Sequence, residues 1–497
     1  AQAARHLFAA GESGAAFPHA LEAAYRAGQQ LDYASARRWM AQISEVADHH
    51  LDAVSEEAVH RYQMLSFRLA FMDGELDRAR NAIQLAGRAA PDPRSRLETG
   101  VALARFHTRT GNYVGAVQVS RRGLREARQA ELQDLAVLYA TQGARAARRS
   151  GDIESALAWL AEADLLLRKH TDLEPLAVRV AWTRSAVLLE LHRGGEAEPE
   201  ILRAIELAKA THQERAEAGL RTNLSVLHWR RGELSAAVEQ VQQARRIFGD
   251  LGAVDQVALT DTNLAELFVK QGQLSKAREH ARDAWDAHRR LRDRQGTLVA
   301  AATALMVARS IGDSVLSDEV VRTVGDGPEG KTVETEWAEY WLERARHHRL
   351  AVDRASAHAA LRKADEALGE SPPAYRKREV NLERAELLLE EGRVSDAHTL
   401  LLGVVKGADD EQHLPVAWYA RSVLTAARAR LGERPELLAP PKALLADNLH
   451  LALATLSWHA EASAAMGALD AAKTMRERGA ALARSRGFAD WLQRLAD

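Results

Sequence analysis

The feature that most restricts how this chain can fold is a recurring template: an amphipathic stretch, a glycine, then small or apolar residues five, nine and twelve positions later. Gly74 is followed by Ala79, Ile83 and Ala86; Gly111 by Ala116, Ser120 and Gly123; Gly151 by Ala156, Leu160 and Ala163. The same offsets follow Gly11, Gly232, Gly272 and Gly392, while after Gly467 they hold at Ala472 and Gly479 with Arg476 between. The spacings Gly111–Gly151, Gly232–Gly272 and Gly272–Gly312 are each 40 residues. Positions three and four apart lie over one another on an α-helix, so the small residues form one narrow face. A glycine just before that face ends the preceding helix in the left-handed conformation. Each unit is therefore a helix–turn–helix hairpin whose second helix approaches the first closely.

Such a repeat also resolves the length. A chain of 497 residues exceeds the roughly 250–300 that one core serves, whereas stacked hairpins extend without deepening the core. Aromatics at 5% and 12 prolines disfavour sheet. Pro91, Pro93, Pro175, Pro328, Pro372, Pro373, Pro435, Pro440 and Pro441 fall between hairpins. Pro199 and Pro415 suit the first turn of a helix, where a missing N–H costs little.

The offsets of the first-helix leucine, the turn glycine and the second-helix alanines resemble the tetratricopeptide repeat. They are clearest from Thr222-Asn223-Leu224 through Gly232 and Leu234, and from Thr262-Asn263-Leu264 through Gly272 and Leu274. Units of 37–44 residues are more similar to the longer superhelical repeats of MalT-like bacterial transcription activators. The opening segment, from Ala4 through Gly11 to Met40, looks like the stretch where such superhelices begin. The resemblance implies an all-α, right-handed superhelical solenoid of about 11–12 helix–turn–helix repeats. On this reading residues 1–324 are regular and 325–497 less regular, with a C-terminal capping helix near Ala489–Ala496. The template weakens around Gly194–Gly195 and Ala351–Ala367. In that family and in related signalling ATPases and protein kinases, this region is a sensor or partner-binding arm.

Composition narrows the chemistry. The absence of cysteine excludes disulfides, thiolate zinc sites, iron–sulfur clusters and a cysteine nucleophile. A net charge of −2, from 67 basic and 69 acidic residues, gives no global signal for nucleic acid or a membrane surface. The longest apolar runs, such as Leu298–Ala308, fall short of the ~20 residues of a membrane span. Fifty-seven arginines against ten lysines suggest a GC-rich bacterial coding sequence. The chain opens on Ala1 without a secretory signal and already in repeat phase, so the expectation is a cytoplasmic region cut from a longer chain.

One catalytic motif is complete: Gly325, Gly330, Lys331 and Thr332 satisfy the P-loop pattern. A phosphate cradle needs a strand before it and an α/β domain around it. Here Glu319–Val324 could pass as a short strand but falls where a second helix belongs, so the motif reads as an inter-repeat turn. His49-His50 and His347-His348 point about 100° apart on a helix and do not converge on one metal. Acid pairs such as Glu390-Glu391 and Asp409-Asp410 read as solvated helix ends and loops. No catalytic residue, cofactor or metal site is expected.

The informative constellation lies on the first helix of each hairpin. Counting back from the turn glycine, Arg68, Arg105 and Arg145 stand six before; Arg109, Arg149, Arg230 and Lys270 two before; Gln142, Asn223 and Asn263 nine before. Trp229 lies among them as an aromatic anchor. Arginine's planar fork suits a carboxylate or phosphate, and in peptide-binding tetratricopeptide domains such positions grip a carboxylate or peptide backbone. These residues are expected to line a groove over roughly 55–290 for a protein or peptide segment or a small anionic effector. The leading reading is a non-catalytic sensor region of a larger bacterial regulator, engaging other modules of its parent chain. The alternative is a stand-alone adaptor for acidic protein segments; membrane partners are not expected and nucleic acid is disfavoured.

Overall fold

The computed structural model describes residues 1–29, 33–50, 55–291, 294–327, 335–369 and 372–496. The protein is all-α, with tetratricopeptide-like helical hairpins and no strand among the described residues. No helix among them is long and apolar enough to cross a membrane. The chain forms two compact units, Ala1–Asn223 with Gln243–Val257, and Leu224–Gln242 with Ala258–Asp497.

The turn chemistry explains the regularity. Gly151 has φ 82°; its N–H donates to the Arg148 carbonyl at 3.0 Å, and the Asp152 N–H to the Ala147 carbonyl at 2.9 Å. These bonds satisfy carbonyls that the end of helix Gln133–Arg149 leaves open. Asp152 then starts the next helix, accepting from the Ser155 N–H at 3.0 Å. Asn112, Asp313 and Asp353 cap in the same way.

Where the glycine template weakens, the turn itself persists. His192 and Val352 take the left-handed position, at φ 58° and 60°, with the same pair of backbone bonds behind them. Gly194 and Gly195 instead open the next helix, Gly194–Ala210. Pro199 consequently sits inside that helix and not in its first turn, as does Pro18 in helix Ser13–Gln29. Pro415 does occupy a first turn; so does Pro175, which the sequence placed between hairpins.

In the first unit the two helices of a hairpin are buried differently. Helix Ile153–Lys169 buries Ala156, Leu160, Ala163 and Leu166, essentially the template face. Helix Gln133–Arg149 is buried over most of its surface, because first helices also stack on one another: Pro93–Arg109 on Gln133–Arg149, and that helix on Glu174–Glu190. Aromatic rings fill the gaps left by glycines. Tyr139 occupies the space where Gly100 and Gly123 lack side chains, and Trp182 the space at Gly219. The Tyr139 hydroxyl donates to the Leu97 carbonyl at 2.6 Å.

In the second unit the C-terminal part returns over the tips of much earlier hairpins. Leu444 lies against Gly232, Leu449 and Phe488 against Gly272, and Ala489 against Gly312. The Asp447 carboxylate accepts from the Ser235 backbone N–H, from Ser235 Oγ at 2.8 Å and from Gln271 Nε2 at 2.9 Å. It thus serves helix Leu234–Asp250 as an N-terminal cap supplied from 212 residues away. The last helix, Ala489–Ala496, packs on its neighbour Leu469–Arg486 and also on Arg294–Ile311, Thr335–Leu350 and Leu449–Ala465.

Candidate functional site

In the first unit, four successive first helices each contribute an arginine to one electrostatic group: Arg105, Arg145, Arg179 and Arg215. The Arg105 side chain reaches solvent, yet protein crowds it. This loss of hydration, followed by the charges of Arg215, Arg145 and Arg179, pulls its pKa down to about 9 against the opposing pull of Asp255. Arg145 is likewise held at about 9, by lost hydration and then by Arg179, Arg148, Arg215 and Arg149. Both remain cationic at neutral pH, and no carboxylate among the described residues pairs with either.

Aromatic faces hold these forks in place. The Arg105 and Arg109 guanidiniums lie 5.1 and 4.6 Å from the Phe71 ring centroid, and that of Arg145 lies 4.8 Å from a Trp182 ring. Arg145 Nε donates to Thr183 Oγ1 at 3.1 Å. Arg109 donates to the Phe71 carbonyl at 2.7 Å and lies 3.7 Å from Asp255. A guanidinium stacked on a ring keeps its edge donors for a planar anion.

Other residues singled out in the sequence have different surroundings. Arg68 donates to the Gly28 carbonyl at 3.1 Å and so ties two helices together. Gln142 is buried. Asn223 donates to Ser185 Oγ at 2.8 Å and to the Trp182 carbonyl at 3.3 Å, bonding one first helix to the previous one. Arg149 is exposed beside Arg145. Counting back by two, six or nine residues misses Arg179 and Arg215, which stand 13 before the turn residue His192 and 17 before Gly232, in the N-terminal parts of their helices. Asp255, the acid of the group, gives no local signal.

Trp229, Arg230, Asn263 and Lys270 belong to the second unit. Trp229 and Lys270 line a cavity of about 190 Å³ there, Asn263 is half-buried, and Arg230 is felt electrostatically at His413. The cavity wall carries a paired charge network that helical periodicity alone reads as solvated faces. Arg309 bonds Asp490 at 2.5 Å and Glu343 at 3.3 Å. Arg349 reaches Glu383 at 2.5 Å, Glu386 at 3.0 Å and Glu390 at 2.6 Å. Arg494 reaches Glu386 at 3.0 Å and lies 3.9 Å from the Trp458 ring centroid. Glu390 and Glu391 are thus not free helix ends: Glu391 also pairs with His358, at 2.7 Å.

His413 also faces this cavity. Burial first, then Arg230, Arg378 and Lys270, pull its pKa down to about 3. The unfolded chain therefore takes up a proton near pH 6.5 that the folded chain refuses until about pH 3. Stability contributed by the neutral ring is full above pH 6.5 and is lost as pH falls toward 3. Between pH 7 and 5 this amounts to about 2 kcal/mol. Urea unfolding at the two pH values should show a loss in wild type that is smaller by that amount in His413→Gln; parallel losses would contradict the assignment.

The remaining motifs resolve simply. Residues 314–324 are helical, not a strand, and Gly325 ends the helix at φ 69°. Gly330, Lys331 and Thr332 lie outside the described residues, as do the side chains of His49 and His50. His347 is exposed and His348 half-buried, and the protein crowding each ring lowers its pKa.

No family model matches the chain, and no curated protein does. Among solved structures it is similar to a Rap protein complexed with Competence and Sporulation Factor, at 12% identity and a TM-score of 0.44, over 75% of this chain and 99% of that one. It is also similar to NprR in complex with its cognate peptide NprX, at 13% identity and a TM-score of 0.42, over 78% and 98%. A third is a Signal Transduction ATPase with Numerous Domains protein with a tetratricopeptide repeat sensor from Pyrococcus horikoshii, at 12% identity and 0.41, over 66% and 52%. Each is a likeness of fold alone.

Proposed function

We propose that the chain is a recognition module whose first unit binds an acidic protein segment through the arginines of its first helices. The observation that carries this reading is Arg105 and Arg145: neighbouring cations, stacked on Phe71 and Trp182, under the repulsion of further arginines and without carboxylate partners among the described residues. Bringing carboxylates to them would relieve that repulsion and use the free edges of the guanidinium forks. Asp255, beside Arg109, limits the anionic charge the group can take and fixes where it is strongest. In this reading the module serves a larger signalling regulator, presenting the bound segment to the rest of that protein.

Isothermal titration of the chain with a decaglutamate peptide tests it. Two charge-assisted hydrogen bonds of ~1.5 kcal/mol each make the expected loss in Arg105→Glu/Arg145→Glu roughly hundredfold. Binding should also weaken with added salt in wild type. Unchanged affinity in the double variant would sink the proposal.

A further inference from the structure

The second unit contains polar groups that the charge network leaves unused. Trp229 Nε1 and His413 Nδ1 are buried and have no hydrogen-bond partner among the described residues, and His413 is only 6% exposed. Their rings meet edge to face with centroids 4.6 Å apart, and Lys270 Nζ lies 5.7 Å from the Trp229 ring centroid. All three residues line the same cavity. The wall's arginines, by contrast, are engaged: Arg309 with Asp490, Arg346 and Arg349 with Glu383, Arg494 with Glu386. Lys270 has no carboxylate within ion-pairing distance among the described residues, and burial pushes Glu266, one turn earlier on its helix, toward its neutral form. Buried donors left unpaired are costly, so sites of this kind are built to be filled by a matching group.

We propose that this cavity binds a small organic monocarboxylate, its carboxylate held by Lys270, the Trp229 indole N–H and the His413 imidazole, its apolar body against Val269, Met306, Leu382 and Val416. One unpaired ammonium calls for a single negative charge, which favours a carboxylate over a phosphate dianion. The depressed pKa values of His413 and His450, both lowered first by burial and then by surrounding cations including Lys270, mark the cavity interior as electropositive. Neutral imidazoles leave the charge balance to the lysine. Apolar wall and few convergent polar groups are the usual make-up of a small-molecule site. The site lies wholly in the second unit and is independent of the arginine group of the first.

Tryptophan fluorescence of the full chain, titrated with phenylacetate, hexanoate and their uncharged amides, tests this. The expected result is saturable binding of at least one acid below about 1 mM, with its amide at least about tenfold weaker. Lys270→Met, which keeps the aliphatic stem, should lose about tenfold or more while retaining wild-type helicity, and Lys270→Arg should restore part of it. Native mass spectrometry of the purified chain gives a second readout, a bound mass of a small acid that Lys270→Met lacks. No saturation by either acid together with no bound mass, equal binding of acids and amides, or unaltered binding in Lys270→Met would overturn the proposal.

Discussion

Arg309→Met should destabilise the second unit by about 3–5 kcal/mol, the usual cost of breaking a buried ion pair from one side. The Arg309 side chain is 12% exposed and joins Asp490 and Glu343, which are 5% and 7% exposed. Burial pushes the Asp490 carboxyl up, and Arg309 is the largest of the groups that oppose that rise. Without the guanidinium Glu343 keeps Arg346, but Asp490 is left buried with no cationic partner among the described residues and is the group that takes up a proton. An acid whose pKa is raised by folding stabilises the fold at low pH and loses that contribution as pH rises. The deficit should therefore shrink between pH 7 and 5. Arg309→Met with Asp490→Asn should recover more than half of it, because the uncompensated charge is then gone. Urea midpoints of the four proteins measure this; additive losses would contradict the arrangement, since neighbours in one network are expected to couple.

Gly123→Ala should cost the first unit about 2–3 kcal/mol, although alanine is normally the better helix residue by about 1 kcal/mol. A Cβ at Gly123 would lie 2.1 Å from Tyr139 Cζ. The ring cannot easily yield: it is 1% exposed, its hydroxyl is bonded to Leu97, and its far edge is pinned by Gly100. Overpacking a fixed ring costs ~1–3 kcal/mol or more. Gly403→Ala is the matched control, at an exposed helical position with nothing within 4 Å of the added carbon, and should stabilise by up to about 1 kcal/mol. Equal denaturation midpoints for the two variants would show that Tyr139 does not fill the glycine gap.

Glycines and alanines at fixed offsets made the hairpins legible, because their chemistry is local: one left-handed residue and one small-residue face per repeat. The turns at His192 and Val352 were hidden because the backbone bonds of the turn do not require glycine, which only lowers their cost. Arg179 and Arg215 stayed hidden because they stand 13 and 17 residues before their turns, not at the offset shared by Arg105 and Arg145. The arginines at 105 and 145 were visible through their common offset, but Arg68 at that offset is spent on Gly28. Asp447 on Ser235 and Arg309 on Asp490 join residues 212 and 181 positions apart, and no local pattern encodes such pairings. Charges at helical spacing on 343–349 and 383–390 look like solvated faces until a second helix carries the opposite charges against them.

Photo-crosslinking locates the bound segment most directly. A decaglutamate peptide carrying a central photoreactive diazirine, irradiated with the full chain and mapped by mass spectrometry, should label helices Pro93–Arg109, Gln133–Arg149 and Glu174–Glu190. The yield should fall in Arg105→Glu/Arg145→Glu. Labels confined to the second helices Tyr113–Gln129 and Ile153–Lys169, or unaffected by the double substitution, would contradict the assignment of the arginine group as the binding face.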